Sequence, residues 1–211
     1  MSAIKQTALF FLTLLATFLL CDIFIHFTYI VMVSSSDFSK ETGRINRCDL
    51  DYIYFNEGMG IGRFNEYRYI GKSRTPQKKD NTIRIALMGD SYVESFQVLQ
   101  RHYFGNLIEQ YLSDKHYGTG IEVLNFGRSG FNIGDMYAYQ KLYVDNFDPD
   151  IVLYFLSNND LTTERHDPLL PYLKIRNDSL DISLDFNTDQ IQAFEKSKFF
   201  IHNSRIIQMI N

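Results

Sequence analysis

The stretch Ile83-Arg84-Ile85-Ala86-Leu87-Met88-Gly89-Asp90-Ser91-Tyr92 decides the fold. Its β-branched and aliphatic half reads as a buried strand, and that strand stops at a Gly-Asp-Ser corner. In open α/β sheets ligands bind outside the carboxyl ends of the strands, so such a corner delivers a serine to the working edge. A serine placed there can act as a nucleophile if the chain also supplies a base and an oxyanion hole.

Outward from this strand the pattern is regular. Phe104, Leu107, Ile108, Tyr111 and Leu112 recur at helical spacing, the stripe of a helix lying on a sheet. Ile121-Glu122-Val123-Leu124-Asn125 reads as a second strand, ending in the glycine-punctuated loop 126–134. Met136, Tyr139, Tyr143 and Phe147 mark the inner face of a second helix that ends before Pro149. The run 151–156 is continuously apolar, which predicts a third strand buried on both faces. Strand–helix–strand–helix–strand at this spacing predicts an α/β fold with a parallel sheet. Residues 172–186 then alternate around Asn177-Asp178, predicting a hairpin within an insertion at about 161–190. Asn177-Asp178-Ser179 also matches a glycosylation sequon, for which a polar turn is the simpler account. The chain closes with an amphipathic helix over about 189–210, showing Phe199, Ile206, Ile207 and Ile210.

The N-terminus differs in kind. From Ala8 to Val33 the sequence is apolar except for Asp22, His26 and a few threonines, long enough to cross a hydrocarbon core of about 30 Å. A cleaved signal peptide fits less well, because no small-x-small site follows. A lipoprotein site at Cys21 is disfavoured by the bulky Leu20 before it. The organisation read from the sequence is therefore an anchor over 1–33, a polar linker and irregular extension over 34–81, and a domain over 82–211. Within the extension, the aromatic and glycine residues of 51–71 predict short strands packed on that domain. Asp22 and His26, four apart, share a helix face and mark the end of the span near the interface. Lys5 precedes the helix and Lys40, Arg44 and Arg47 follow it, so the positive-inside rule leaves the orientation open.

Composition removes several function classes. A net charge of −4 lacks the electrostatic footprint of a nucleic-acid binder. The basic cluster 72–79 reads as a solvated loop. Cys21 and Cys48 make no disulfide framework, and no Cys/His spacing suits zinc, so neither a metal nor another cofactor is expected.

Each strand ends in a polar corner: Gly89-Asp90-Ser91-Tyr92, Asn125 to Asn132, and Ser157-Asn158-Asn159-Asp160. Parallel strands bring these corners to one edge, where a serine, a glycine N–H and an asparagine amide surround a common point. In this respect the chain resembles the SGNH, or GDSL-type, hydrolase family. Gly89-Asp90-Ser91 matches its first block, Ser129-Gly130-Phe131-Asn132 its second, and Asn159-Asp160 its third. The resemblance covers about 82–160 and implies a three-layer α/β/α sandwich of flavodoxin-like type. It makes Ser91 the nucleophile and an oxyanion N–H donor, Gly130 the second backbone donor, and Asn159 the side-chain donor. Ser157-Asn158 stands where the family usually has small, glycine-containing residues, which predicts a narrower pocket.

The family's base is a histidine in a C-terminal Asp-x-x-His motif, and the sequence has none. His26 lies in the apolar segment, and His102 and His116 flank the first helix as surface residues. His166 and His202 stand outside the family pattern, so the base is left unassigned. The missing motif and the uncovered apolar face of the last helix lead to the expectation of a partial domain with impaired catalysis. The resemblance implies a membrane-anchored esterase or O-acyltransferase, its domain on the extracytoplasmic side. Its partners would be an ester-bearing small molecule or a glycan, with O-acetyl groups one such target. The alternatives are a non-catalytic membrane-tethered binding or assembly module, and a chain whose hairpin and last helix dock a partner that completes the site.

Overall fold

A computed structural model describes residues 3–115, 118–176 and 179–210. His116 and the hairpin turn at Asn177-Asp178, with its sequon, lie outside the described residues.

The centre is a parallel three-stranded sheet in the order β6-β5-β7: β5 is Thr82–Met88, β6 Gly120–Asn125 and β7 Ile151–Tyr154. The strand that leads to Ser91 is the middle one. Leu87 pairs with Asn125 and Met88 with Tyr154, so the three carboxyl ends are level. Alternation along β5 sorts its side chains between two layers. Ala86 and Met88 pack with Leu124, Met136 and Tyr139, the last two from α4 (Ile133–Leu142). Ile85 and Leu87 pack with Ile121, Val123 and, from α3 (Phe104–Lys115), Phe104, Ile108 and Leu112. Helices therefore cover both faces of the sheet, the α/β/α order that the family resemblance implies.

Two readings are corrected by packing. Leu107 and Tyr111 do not share the inner stripe of α3; they are exposed, while Gly105 and Glu109 are buried. Glu109 belongs inside because its carboxylate accepts the Val123 N–H at 2.9 Å and pairs with Lys72 and Arg74. The basic stretch is a surface loop with Lys72 and Lys79 exposed, and ion pairs tie it down, Lys78 being bound to Asp150 at 2.7 Å. The third strand is an edge strand, not one buried on both faces. Ile151 and Leu153 are 43% and 39% exposed, and beyond Tyr154 the Phe155 N–H still donates to the Met88 carbonyl at 2.9 Å, while the Phe155 and Leu156 side chains lie outside the strand and are also exposed.

The second helix ends at Leu142 and is followed by a 3₁₀ turn, Val144–Phe147, that still buries Phe147. Beneath this turn lies Arg84, 1% exposed, which bonds Glu122 through two nitrogens at 2.7 and 2.8 Å and reaches the Pro76 and Phe147 carbonyls. It sits at the amino end of β5, opposite the serine corner. Its role is to tie the basic stretch, two strands and the 3₁₀ turn into one unit.

The region ahead of the sheet is more ordered than a linker. β1 (Ser36–Ser39) and β2 (Gly43–Asn46) form one hairpin, β3 (Leu50–Tyr54) and β4 (Gly60–Phe64) another. The second reaches the main sheet through isolated bridges from Ile70 to Phe64 and to Asn125. Tyr52, Phe64, Ile70 and Phe96 form its own small core.

α1 (Ala3–Thr28) is 26 residues long with a mean hydropathy of 2.5 over its most apolar part and no buried residue. By length and composition it can cross a membrane. Past the sheet, β8 (Tyr172–Arg176) and β9 (Ser179–Ser183) pair antiparallel as the alternation predicts. The last helix is not continuous: it breaks at Ser204 into α5 (Thr188–Asn203) and α6 (Arg205–Ile210). Phe199 is exposed and Ile201 is the buried residue of α5; the side chain of Ile210 lies outside the described residues. Asp22 explains the break. Its Oδ1 accepts the Ser204 hydroxyl and the Ile206 N–H, both at 2.9 Å, so a side chain of α1 caps the first turn of α6.

Candidate functional site

The serine corner is built by close approach. Gly89 leaves β5 where a Cβ would run into the Val93 side chain and crowd the Phe155 carbonyl. Asp90 then caps the one-turn helix α2 (Ser91–Glu94), its carboxylate accepting the Tyr92 N–H at 2.9 Å. Ser91 is thus the first helical residue, lifted clear of the sheet at the end of its central strand. The turn closes on Ser95, whose left-handed backbone (φ 60°) redirects the chain.

The second corner locks onto the first. Arg128 N–H donates to the Gly89 carbonyl at 2.9 Å. Gly127 is pressed against Val93 and the Glu94 amide, leaving no room for a side chain. Gly130 takes φ +81°, a conformation that favours glycine, with open space where a Cβ would stand. The turn is completed by Phe131 N–H donating to the Arg128 carbonyl at 3.1 Å.

Glu94, for which the sequence offered no role, bridges the two corners. It is buried, and its Oε2 accepts the Ser129 N–H at 2.8 Å and the Ser129 hydroxyl. Burial pushes its carboxyl up to about 6, against the pull of the two Ser129 bonds and the Arg128 charge. Its only signal in the sequence is position, one helical turn after Ser91 and on the same side of α2.

The third corner is the 3₁₀ turn Asn158–Asp160. The buried Asp160 accepts the Ser157 N–H at 2.7 Å and fixes the turn, while Asn159 stays exposed. The structure brings Ser91, Gly130 and Asn159 together on the wall of one pocket of about 450 Å³. Among the described residues, the Ser91 and Gly130 N–H groups and the Asn159 amide donate to no other part of the chain. Cavities of similar size occur elsewhere, near Arg44 and Phe194 and around Lys78 to Ile83, but neither contains any of the three corners.

The same pocket holds His166. Asn132 caps α4 in a capping box with Asp135, and its amide donates to the Glu164 carbonyl at 3.0 Å, drawing segment 162–166 over the site. His166 Nδ1 then lies 3.5 Å from Asp135 Oδ2. Asn132 Nδ2 is equally distant from Nδ1, but its better bond is the one to Glu164. Asp135 is buried, and that burial raises its pKa, against the Asn132 N–H bond and the nearby His166. The other described histidines lie elsewhere. His202 is bonded to the Ser36 carbonyl at 2.9 Å, His102 to Arg101, and His26 packs edge-on against Phe27. Cys21 and Cys48 are free and exposed, and no group of three metal-ligating side chains occurs among the described residues.

Among curated proteins and among solved structures, no significant match to the chain is found. A family model does match: that of the GDSL-like lipase/acylhydrolase family fits residues 85–210, from within β5 to the end of α6. With its serine corner, its two supporting corners and more than half of its length accounted for, the chain belongs to the GDSL-like lipase/acylhydrolase family.

Proposed function

We propose that this chain is a membrane-tethered acyl-ester hydrolase in which Ser91 attacks the ester carbonyl. The observation that carries this reading is the convergence of Ser91, Gly130 and Asn159 on one pocket, with three uncommitted donors, in a member of an acylhydrolase family. Ser91 Oγ forms a bond to the carbonyl carbon as its proton passes to a base. The oxygen that becomes negative is held by the N–H groups of Ser91 and Gly130 and by Asn159 Nδ2. The C–O bond to the alcohol then breaks, the alcohol leaves with the proton, and water releases the acid from Ser91. An acceptor hydroxyl in place of water makes the same site an O-acyltransferase.

His166 is the base candidate this pocket offers. A carboxylate at Nδ1 selects the tautomer whose Nε2 accepts a proton, and Asp135 Oδ2 stands 3.5 Å from Nδ1. Ser91 and His166 are not hydrogen-bonded to each other, and no Asp-x-x-His motif occurs in the sequence, so turnover is expected to be slow. The substrate class is an ester on a small molecule or glycan, O-acetyl groups included. α1 tethers the domain, extending over 82–211, to the extracytoplasmic face.

The test is fluorophosphonate labelling of the full chain together with hydrolysis of p-nitrophenyl acetate. Labelling that is lost in Ser91→Ala supports the reading, and wild-type protein that neither labels nor turns over ester refutes it. The missing motif favours a second reading, a tethered binding module. Glycan binding retained in Ser91→Ala, without ester turnover by the wild type, would establish that one instead.

A further inference from the structure

The last two helices leave apolar side chains uncovered, and their place beside α1 indicates what covers them. One side of α5 is held to the β1–β2 hairpin: Lys198 pairs with Asp37 at 2.5 Å, His202 bonds the Ser36 carbonyl, and Ile201 is buried. At about 100° per residue, Phe199 and Phe200 fall on the opposite side, flanking Lys196 and Asn203. Phe199 is 70% exposed and Phe200 55%; Met209 on α6 is 59% exposed.

Depth follows from Asp22. The uncharged residues between Lys5 and Asp22 rise about 24 Å as a helix, and Lys5, extending its ammonium outward, brings the span toward the hydrocarbon thickness of about 30 Å. A carboxylate directly after that length sits where the apolar zone ends. Ser204 and Ile206 are bonded to that carboxylate, so α6 and the end of α5 lie at the same level. Phe27, Tyr29 and Ile30, all exposed, continue the chain just past it.

We propose that the end of α5 and α6 seat in the interfacial zone of the bilayer that α1 spans, with Phe199, Phe200 and Met209 in contact with lipid. The proposal rests on the reading of α1 as a membrane anchor. Aromatic and aliphatic side chains beside a lysine are the composition of a helix lying in the interfacial plane, where Lys196 extends its ammonium toward the headgroups.

The sequence contains no tryptophan, so a single introduced one reports its own surroundings. Leu12→Trp in α1, Phe199→Trp and Phe200→Trp in α5, and Tyr111→Trp on α3 would each be made in the full chain. Each variant is reconstituted in phosphatidylcholine vesicles with and without dibrominated acyl chains. Leu12→Trp and at least one of the two α5 variants should lose about half of their emission to the bromines, and Tyr111→Trp should lose none. Quenching of Leu12→Trp with both α5 variants unquenched would overturn the proposal and leave the anchor standing. Quenching of Tyr111→Trp equal to that of Phe199→Trp would also overturn it, since the contact would not be particular to these helices. An unquenched Leu12→Trp would remove the anchor reading and this proposal with it.

Discussion

Glu94 shows how a single buried carboxyl can hold a site together. Replaced by alanine, it would leave the Ser129 N–H and hydroxyl without an acceptor, at a cost of about 1–3 kcal/mol, and would loosen the turn that presents Gly130. Glu94→Gln keeps an acceptor of the same shape and removes the charge. The wild-type carboxyl has a folded pKa of about 6, above its ordinary 4.5. A raised pKa means that this group's favourable contribution is complete below pH 4.5 and is lost as pH rises through 6. Glu94→Gln should therefore match the wild type in urea unfolding near pH 4.5 and exceed it at pH 8 by about 2 kcal/mol. Equal stability at both pH values would show that the carboxyl is not desolvated. At Gly130 the constraint is backbone conformation rather than space. Gly130→Ala should cost about 1–2 kcal/mol of stability and slow Ser91 labelling about 100-fold, as labelling kinetics and thermal unfolding would measure.

Among the elements, β7 is where the sequence pattern and the structure part. An unbroken apolar run normally marks a strand covered on both faces, yet β7 pairs with β5 alone. Periodicity reports which residues avoid water, not which neighbours provide the shelter. Leu153→Ala on this edge should cost about 1 kcal/mol, whereas Leu124→Ala, fully buried on β6, should cost about 3–4 kcal/mol. Equilibrium unfolding separates the two, and equal losses would mean that β7 is covered in solution. α3 carries the same lesson in reverse. Its apolar spacing suggests an inner face that includes Leu107 and Tyr111, but the unpaired Val123 N–H and the basic stretch draw Glu109 inward. The break between α5 and α6 likewise depends on a partner distant in sequence. Asp22→Ala should raise amide exchange across 205–210 in hydrogen–deuterium exchange and leave β5 and β6 protected; unchanged exchange would show that the cap contributes nothing.

In the molecule as a whole, the candidate site and the buried Arg84 ion pair occupy opposite ends of the central strand. The carboxyl end of β5 carries the Gly-Asp-Ser corner, and its amino end carries Arg84. Breaking a buried ion pair from one side leaves the other charge uncompensated, so Arg84→Ala should destabilise the domain by about 3–5 kcal/mol. Because the guanidinium is remote from the pocket, Ser91 labelling per folded molecule should be unchanged. A variant that folds as well as the wild type but fails to label would reverse this assignment.

The sequence by itself determined the parallel order of strands and helices, the apolar N-terminal helix, and the identity of Ser91, Gly130 and Asn159 as residues at strand ends. These are local matters, carried by hydrophobic period, by glycine at tight approaches and by the residue at the end of each strand. Tertiary structure alone decided that β7 is an edge, that Glu94 joins the first two corners, that Asp22 caps α6, and that His166 comes to the pocket beside Asp135. Each of those depends on a contact between residues that no periodic pattern relates, because burial and pairing are settled by what the fold brings alongside. For the Gly-Asp-Ser corner, one-dimensional reading located the serine, and three-dimensional packing supplied the groups that surround it.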